Sequence, residues 1–369
     1  MVPHVIFLLT DDWGWELWPR PGGPHEVLLP QIRQHFVADG LSLARHYTYA
    51  YCAPSRQSLL SGRWPIHVNE ENSVCSGISR AMSTVADRLT AAGYVSHFVG
   101  KWHCGFADPS ATPIRRGFST SLGFYMKAHH HFTHCSYLGY EHARGTHTTC
   151  RAAPSNRSAP LYDFFLGADG IEKPLGPAHP PVANQTYSTT LFGQRALDII
   201  RRHDGSSPLF LLLSYSATHQ PYLAPDELIR RVGQARRATP AYFKECTYLP
   251  RAAFPNLRCN GKQRKVYEAM ALAVDDSVGA IASALRERGM YGDSLLVFAN
   301  DNGGPGGKGP ASNQPLRGGK DMLLDGGVRT LAAVGGGWLP PALRGKTSDA
   351  FMTLADWYAT LLLEIAFDL

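Results

Sequence analysis

Tyr51-Cys52-Ala53-Pro54-Ser55-Arg56-Gln57-Ser58-Leu59-Leu60-Ser61-Gly62-Arg63 is the most informative stretch of this chain. A proline follows the cysteine by two residues and an arginine follows it by four, and a short apolar helical pattern then ends at Gly62-Arg63. A lone cysteine is most often a buried structural thiol. The stretch alone therefore does not decide whether Cys52 is structural or reactive, and its partners have to be sought elsewhere in the chain.

The composition is that of an ordered and mildly basic protein. The chain has 369 residues, of which 44% are hydrophobic, 11% aromatic and only 18% charged. This is enough for a large core in one or two domains, and it argues against disorder. A net charge of +6 and a pI of about 8.9 suit an anionic substrate. The positive charge is too dispersed to favour nucleic acid as a partner, and no apolar run is long enough to span a bilayer.

The cysteines and two sequons bear on the cellular compartment. Without Cys52, six of the seven cysteines remain: Cys75, Cys104, Cys135, Cys150, Cys246 and Cys259. An even number permits three disulfides, with 135–150 and 246–259 as local pairings, and six free thiols are the alternative. Asn156 and Asn184 begin triplets that would accept glycans in a secretory protein. No signal peptide precedes the apolar run at residues 5–9, so the alternatives are a cytosolic protein or a missing N-terminus.

Strand and helix patterns alternate along the chain. Short apolar runs rich in branched or aromatic residues predict buried strands at residues 5–9, 94–99, 209–214, 294–299 and 328–334. Helical patterns occupy residues 56–61, 83–92, 187–202, 264–288 and 353–363, with Ser83 as an N-cap and Gly93 and Gly289 as end signals. The alternation predicts an α/β fold whose central sheet is mostly parallel and carries helices on both faces. Residues 104–186 are predicted to be a loop-rich insertion over the active face.

Acidic and amide side chains directly follow two of the predicted strands. Asp11 and Asp12 follow the first strand, and Asp301 and Asn302 follow the strand at residues 294–299. In α/β sheets, ligands gather at the carboxyl ends of the strands. An Asp-Asp pair alone would be a turn or a helix cap, but two such pairs at two strand ends favour a metal site. Their hard oxygen atoms suit Ca²⁺ or Mg²⁺ better than zinc.

Basic side chains occupy comparable positions. Lys101 and His103 lie after the strand at residues 94–99, and His219 lies after the strand at residues 209–214. Lys320 ends the run Arg317-Gly318-Gly319-Lys320, ahead of Asp325-Gly326-Gly327-Val328-Arg329. Alternation along an extended segment would direct Lys101 and His103 to the same side. Each of these residues alone would be an ordinary solvated or hydrogen-bonded side chain.

Together these motifs resemble those of the type I, formylglycine-dependent sulfatases of the alkaline phosphatase superfamily, and most of all their arylsulfatase B-like branch. The stretch that begins at Cys52 resembles the sulfatase signature, and Gly100-Lys101-Trp102-His103 resembles the second signature. His219-Gln220-Pro221 and the Lys320 run are similar to further family motifs. The resemblance extends from Val5 to about Leu363.

The resemblance implies a mechanism. A formylglycine-generating enzyme would oxidise Cys52, and Asp11, Asp12, Asp301, Asn302 and the formylglycine oxygen would bind one Ca²⁺. Arg56 would hold the aldehyde hydrate, whereas Lys101 and His219 would bind sulfate. Lys320 would bind sulfate and assist the leaving oxygen, and His103 would take the proton that releases sulfate from a sulfated enzyme. Cys52→Ser would then trap that sulfated form.

The resemblance also implies a substrate class and a compartment. The substrate would be an aryl sulfate or a sulfated sugar such as N-acetylgalactosamine 4-sulfate, with His130 and His131 in the pocket. The fold would be a three-layer sandwich forming one catalytic domain over residues 1–369, without the family's small C-terminal subdomain. The protein would enter the secretory pathway and be lysosomal or extracellular.

Two other functions remain open at this stage. One is a phosphatase or phosphodiesterase of the same superfamily, although such enzymes usually have Ser or Thr as nucleophile and bind two metals. Cys52, and Asn302 in place of a histidine, argue against it. The other is a truncated, non-catalytic protein that binds sulfated glycans.

Overall fold

The fold belongs to the α/β class. The computed structural model describes residues 2–23, 25–68, 77–136, 162–238, 261–306 and 309–366. Within them the chain forms a mixed ten-stranded sheet together with helices. The α/β prediction is therefore confirmed.

The strands are short and mostly buried where they are apolar. Their bounds are β1 His4–Thr10, β2 Leu41–Tyr47, β3 Val95–Lys101, β4 Thr120–Phe124, β5 Phe165–Ala168, β6 Ile171–Pro174, β7 Leu209–Ser214, β8 Ser294–Asn300, β9 Arg329–Gly335 and β10 Lys346–Thr353. Every residue of β7 and β8 is buried, as expected for strands that read as continuous apolar runs.

The helices vary from one turn to 27 residues. They are α1 Pro30–Ile32, α2 Cys52–Ser61, α3 Val85–Ala91, α4 Pro180–Ala183, α5 Ser188–Arg202, α6 Asp226–Ala238, α7 Gly261–Glu287, α8 Asp325–Val328 and α9 Asp356–Ala366. Single 3₁₀ turns occur at Trp15–Leu17, Pro65–His67, Pro109–Ala111, Pro113–Arg115, Tyr291–Asp293 and Pro341–Leu343, and a π-helical turn at Arg33–Ala38.

The chain divides into two compact units, and the first of the four points at which it passes from one unit to the other lies within β1. The first unit comprises Met1–Phe7, Cys52–Ser216 and Ala355–Leu369. In it β3 pairs in parallel with both β7 and β4, and β4, β5 and β6 continue as an antiparallel ribbon. The ends of β3 and β7 therefore share one edge, where Lys101 and Ser214 are the last strand residues.

The second unit comprises Leu8–Tyr51 and Ala217–Leu354. Here β10 pairs in parallel with β2, whereas β9 pairs antiparallel with both β2 and β8. The single-domain prediction, with its insertion at 104–186, stays a prediction.

All five predicted strands are confirmed, and the strands that the sequence did not reveal lie where apolar patterning is weak. Most residues of β10 are exposed, and β2 carries Arg45 and His46 within a half-buried pattern. Backbone pairing to a neighbour stabilises such strands without a buried apolar run. The five predicted helices are also present, but α6 was not predicted because four arginines interrupt its apolar pattern.

Two helix starts differ from the prediction. α2 begins at Cys52 rather than at Arg56, and all its residues are buried. The N-cap of α3 is Thr84 and not Ser83. The Oγ1 of Thr84 accepts a hydrogen bond from the Asp87 N–H, while the Asp87 carboxylate accepts one from the Thr84 N–H, which is the reciprocal capping box.

The structure contradicts one part of the prediction of three disulfides, because one of the six remaining cysteines is not disulfide-bonded. Cys104 is a buried free thiol, as is Cys52. Burial raises the pKa of the Cys104 thiol to about 12, which outweighs the nearby Arg56, Arg116 and Lys101. Cys135 is disulfide-bonded. Cys75, Cys150, Cys246 and Cys259 lie outside the described residues, so the pairings 135–150 and 246–259 stay predictions.

Candidate active site

The first unit fixes Cys52 and Arg56 on one buried helix. Cys52 is the first residue of α2 and is 1% exposed. Free N–H groups and the helix dipole make this end favourable for an anion. One turn later, Nη1 of Arg56 donates hydrogen bonds to the Lys101 carbonyl at 3.0 Å and to Oγ of Ser214 at 2.6 Å. Because Ser214 also donates to that carbonyl at 2.7 Å, the guanidinium is tied to the ends of β3 and β7.

Lys101 and His103 are brought to the same strand end. Lys101 is the last residue of β3. Its side chain is buried, which is unusual for a lysine. His103 is fully buried and has a φ of +51°, so the backbone is no longer extended there. The alternation argument for the direction of these two side chains therefore does not apply at His103. The N–H groups of Trp102 and His103 continue to pair with β4 and the residue after it, through the carbonyls of Phe124 and Tyr125.

The second unit gathers the acidic residues after β1 and β8. Asp11, Asp301 and Asn302 are completely buried, and Asp12 is 3% exposed. The Asp301 N–H donates to the Thr10 carbonyl at 3.1 Å, which joins the ends of these two strands. Nδ2 of Asn302 donates to Oδ1 of Asp12 at 2.7 Å. This contact brings a side chain that follows β1 against one that follows β8, and a metal site at these residues stays a prediction.

Two basic residues from later in the chain approach the same carboxylate. Nζ of Lys320 lies 2.7 Å from Oδ1 of Asp12. Nε2 of His219 lies 3.8 Å from Oδ2 of Asp12. The ligand atoms of Asp11, Asp12 and His219 lie within 4.8 Å of one another. His219 was predicted to bind sulfate, and the structure places it close to two carboxylates that were predicted to bind the metal.

The acidic cluster fits a hard divalent cation. Oδ1 of Asn302 is buried and has no hydrogen-bond partner among the described residues, although a buried amide oxygen normally has one. Together with the buried carboxylates of Asp11, Asp12 and Asp301, it makes a set of oxygen donors of the kind that Ca²⁺ and Mg²⁺ bind.

Tyr267, on α7, supports the first acidic loop and was not recognised from the sequence. Its hydroxyl accepts a hydrogen bond from the Gly14 N–H at 2.7 Å and donates to the Asp12 carbonyl at 3.2 Å. Burial raises the pKa of Tyr267 to about 12, so the phenol keeps its proton at neutral pH. No sequence signal marks a tyrosine in the middle of a long helix as a partner of a loop.

Asn313 is a second residue that the sequence did not reveal. Its Oδ1 accepts hydrogen bonds from the N–H groups of Gly304 and Trp15, and its Nδ2 donates to the carbonyls of Gly304 and Gly318. The Lys320 N–H also donates to the Gly304 carbonyl, at 3.0 Å. Asn313 thereby fixes the loop after β8 against the loop that carries Lys320.

The predicted substrate histidines lie in a buried histidine cluster in the first unit. Nδ1 of His131 lies 3.1 Å from Oγ of Ser188, and the ring is fully buried. Nδ1 of His130 accepts the N–H groups of Phe132 and Thr133, and burial lowers its pKa to about 4. Both rings therefore already take part in hydrogen bonds within the first unit. A role in substrate binding stays a prediction.

The predicted glycan acceptors differ in what the structure describes. Asn184 is exposed directly after α4. Asn156 lies outside the described residues. Glycosylation at both positions stays a prediction.

Comparison with known proteins identifies the family. The model of the family described as Sulfatase matches residues 3–363. The chain therefore belongs to the sulfatase family, as its motifs indicated.

The individual relatives have only modest sequence identity to this chain. The chain is 29% identical over 377 residues to Arylsulfatase J of Mus musculus, covering 98% of this chain and 52% of that protein. It is 26% identical over 379 residues to N-acetylgalactosamine-6-sulfatase of Homo sapiens, covering 98% of this chain and 61% of that protein. The chain thus spans about half to two thirds of the length of these relatives.

Solved structures show the same fold. The crystal structure of Ps i-CgsB in complex with k-i-k-neocarrahexaose superposes with a TM-score of 0.75 at 25% identity, covering 99% of this chain and 72% of that one. The PsFucS1 sulfatase from Pseudoalteromonas sp. gives a TM-score of 0.70 at 22% identity, covering 99% of this chain and 68% of that one.

Among the helices that the structure describes, none has both the length and the apolarity needed to cross a bilayer.

Proposed function

We propose that this chain hydrolyses sulfate monoesters through a formylglycine made from Cys52. The observation that carries the proposal is the placement of Cys52 at the buried start of α2, one turn before an arginine that is fixed at the ends of β3 and β7. Membership of the sulfatase family supports it. The hydrated aldehyde would supply the attacking hydroxyl.

The acidic cluster would hold one Ca²⁺. Asp11, Asp12, Asp301 and Asn302 would be its ligands, as the unpartnered amide oxygen of Asn302 supports, and Cys52 would contribute the formylglycine oxygen. The cation would supply positive charge against the sulfate oxygens. His219 would lie beside this group and bind sulfate, which its position near Asp12 supports.

The protein's own side chains would stabilise the remaining charge and move the protons. Arg56 and Lys101 are buried cations on one strand edge, where a developing negative charge interacts more strongly than in water. Lys320 would hold the leaving oxygen, and its ammonium group is only partly exposed. His103 would accept the proton that allows sulfate to depart, a role implied by the resemblance of Gly100-Lys101-Trp102-His103 to the family's second signature.

The substrate class would be aryl sulfates or sulfated sugars. Relatives called arylsulfatase and N-acetylgalactosamine-6-sulfatase support this range, and N-acetylgalactosamine 4-sulfate is one candidate within it. A formylglycine-generating enzyme would be the maturation partner. Passage through the secretory pathway to a lysosomal or extracellular location would accord with the exposed sequon at Asn184.

The test is turnover of 4-nitrocatechol sulfate by protein that is co-expressed with a formylglycine-generating enzyme and assayed with calcium. Cys52→Ala is expected to abolish turnover. Cys104→Ala is the matched control, because Cys104 is also a buried free thiol and its loss should leave turnover within about twofold. Equal activity of Cys52→Ala and unmutated protein would overturn the proposal.

A phosphate-ester hydrolase is the competing enzyme class. The fold also matches the phosphonate monoester hydrolase SpPMH from Silicibacter pomeroyi, with a TM-score of 0.61 at 22% identity. Sulfate and phosphate esters of the same aryl alcohol, compared at one pH, separate the two readings. A higher kcat/KM for the phosphate ester would favour the competing class. Binding of sulfated glycans without turnover, by protein whose formylglycine is verified by peptide mass, would favour a non-catalytic binder.

A further inference from the structure

The first unit contains a basic cavity at the opposite end of α2 from Cys52. The cavity has a volume of about 920 Å³ and begins at Ser61, the last residue of the helix. Since α2 rises by 1.5 Å per residue, its two ends are about 15 Å apart. The charged residues that line this basic cavity are Arg63, Arg80, Arg88, Arg115, Arg116 and Asp87.

One arginine of the basic cavity is buried without a carboxylate partner. Arg116 is 4% exposed, and Nη2 donates to the Met82 carbonyl at 2.6 Å. Its Nε–H is buried and has no hydrogen-bond partner in the described part of the chain. Arg116 also takes part in none of the ion pairs between described residues. A buried charge of this kind is costly unless a ligand or a counter-ion compensates it.

A second unpartnered donor lines the same cavity. Oγ of Ser110 is buried and has no hydrogen-bond partner among the residues described. The one lining carboxylate does not fill this need, because Asp87 already accepts hydrogen bonds from the N–H and Oγ1 of Thr84. Two hydrogen-bond donors, the Nε–H of Arg116 and the hydroxyl of Ser110, are therefore available to a ligand in a cavity with excess positive charge.

Most of the other arginines that line the cavity have no carboxylate partner among the described residues, so the excess positive charge of the cavity is largely uncompensated. Arg80 pairs with Asp108. Nε of Arg88 donates to Oγ of Ser83, a neutral partner, at 3.0 Å. No carboxylate lies within ion-pair distance of Arg63, Arg88 or Arg115 among the described residues. A surface arginine alone is usually just solvated, but here several line the same cavity as one buried guanidinium.

We propose that the basic cavity binds a tetrahedral oxyanion, either a free inorganic ion or the sulfate group of a carbohydrate. Guanidinium groups bind such oxygens through paired, charge-assisted hydrogen bonds, and the Nε–H of Arg116 is half of such a fork. The Ser110 hydroxyl would donate to a further oxygen. This site is separate from Cys52 and does not depend on the proposed hydrolysis.

The experiment compares two triple variants by calorimetric titration. Arg63→Gln, Arg88→Gln and Arg115→Gln together remove three exposed cavity charges. Arg201→Gln, Arg202→Gln and Arg237→Gln together remove three exposed charges outside the cavity and serve as the matched control. The probes are inorganic sulfate and a sulfated disaccharide. Aryl sulfate turnover, followed in parallel, is expected to be equal in both variants.

The cavity variant is expected to bind at least one probe about tenfold more weakly than the control variant, as the loss of one charge-assisted hydrogen bond would predict. Weakening with inorganic sulfate identifies the free ion as sufficient, and weakening with the disaccharide alone identifies the carbohydrate sulfate. Equal binding of both probes by the two variants would overturn the proposal.

Arg116→Lys gives an independent check. It keeps the charge but cannot present a guanidinium fork, so about tenfold weaker binding is expected. Circular dichroism verifies that the variant is folded, and the exposed triple variant decides the question if it is not.

Discussion

Nζ of Lys320 lies 2.7 Å from Oδ1 of Asp12, and the same oxygen accepts a hydrogen bond from Nδ2 of Asn302 at 2.7 Å. Asp12 is almost completely buried, so its charge has to be compensated. Lys320 is therefore a counter-ion of the acidic cluster as well as a candidate for contact with the leaving oxygen.

The first prediction concerns this dual position. Lys320→Gln removes the counter-ion and should destabilise calcium-free protein by roughly 3 kcal/mol, because a buried carboxylate loses its partner. Added calcium should then raise the melting temperature of the variant more than that of the unmutated protein, since binding to the folded state stabilises it. Differential scanning fluorimetry in calcium and in EDTA measures both. Lys346→Gln, an exposed lysine of the same unit, is the control. An equal calcium effect in all three proteins would contradict the prediction.

The second prediction concerns the cation itself. Asp301→Asn keeps the size of a proposed, buried ligand but removes its charge, so calcium should bind about tenfold or more weakly. Titration calorimetry on protein stripped with EDTA measures the change. Asp349→Asn changes an exposed carboxylate in the same unit and should leave the affinity unaltered. Unchanged affinity in Asp301→Asn would remove Asp301 from the ligand set.

The third prediction concerns the structural role of Arg56. Arg56→Lys cannot reproduce both hydrogen bonds of Nη1, to the Lys101 carbonyl and to Ser214, so the free energy of unfolding should fall by about 1–3 kcal/mol. Urea unfolding measures this loss. Ser214→Ala removes one of the two acceptors and should cost less, and Arg201→Lys on the exposed face of α5 should cost almost nothing. An Arg56→Lys protein as stable as the Arg201→Lys protein would contradict this account.

The fourth prediction concerns pH. Burial raises the pKa of Asp275 from 3.8 to about 7, although the N–H groups of Ile32 and Gln31 donate to its carboxylate. Between these two pH values the folded chain holds a proton that the unfolded chain has lost. Stability should therefore fall as pH rises from about 4 to 7, by at most roughly 1.4 kcal/mol per pH unit from this group.

Asp275→Asn should flatten that dependence. Urea unfolding at a series of pH values measures the slope, and Asp349→Asn, at an exposed carboxylate of the same unit, should retain it. A slope that is the same in both variants would assign the pH dependence to other groups.

The sequence predicted those parts of the fold that depend on local apolar patterning. Strands such as β7 and β8 are buried over their whole length and therefore appear as continuous apolar runs. β10 is held by its backbone pairing to β2 and exposes most of its side chains, so no such run marks it. α6 is similarly obscured by its arginines, although it packs in the fold as a helix of 13 residues.

The candidate site was predictable where chemistry and strand ends coincide. Asp12 and Asn302 follow from that rule, whereas Lys320 was proposed because its glycine-rich run resembles a family motif. The structure brings the side chains of Asn302 and Lys320 into contact with Asp12. The supporting residues were not predictable, because Tyr267 bonds to the backbone of Asp12, which is distant in sequence, and Asn313 joins the backbone of Trp15 to that of Gly304. Such contacts depend on the tertiary fold, and the residue types that make them are common.

The complete burial of α2 determines when its first residue can be altered. A modifying enzyme would have to enclose the Cys52 thiol in its own active site, yet the folded chain leaves only 1% of that residue accessible. Removing ten buried helical residues from the fold would dismantle the core around them. The proposed oxidation of Cys52 would therefore have to take place while the polypeptide is still being made or is still unfolded.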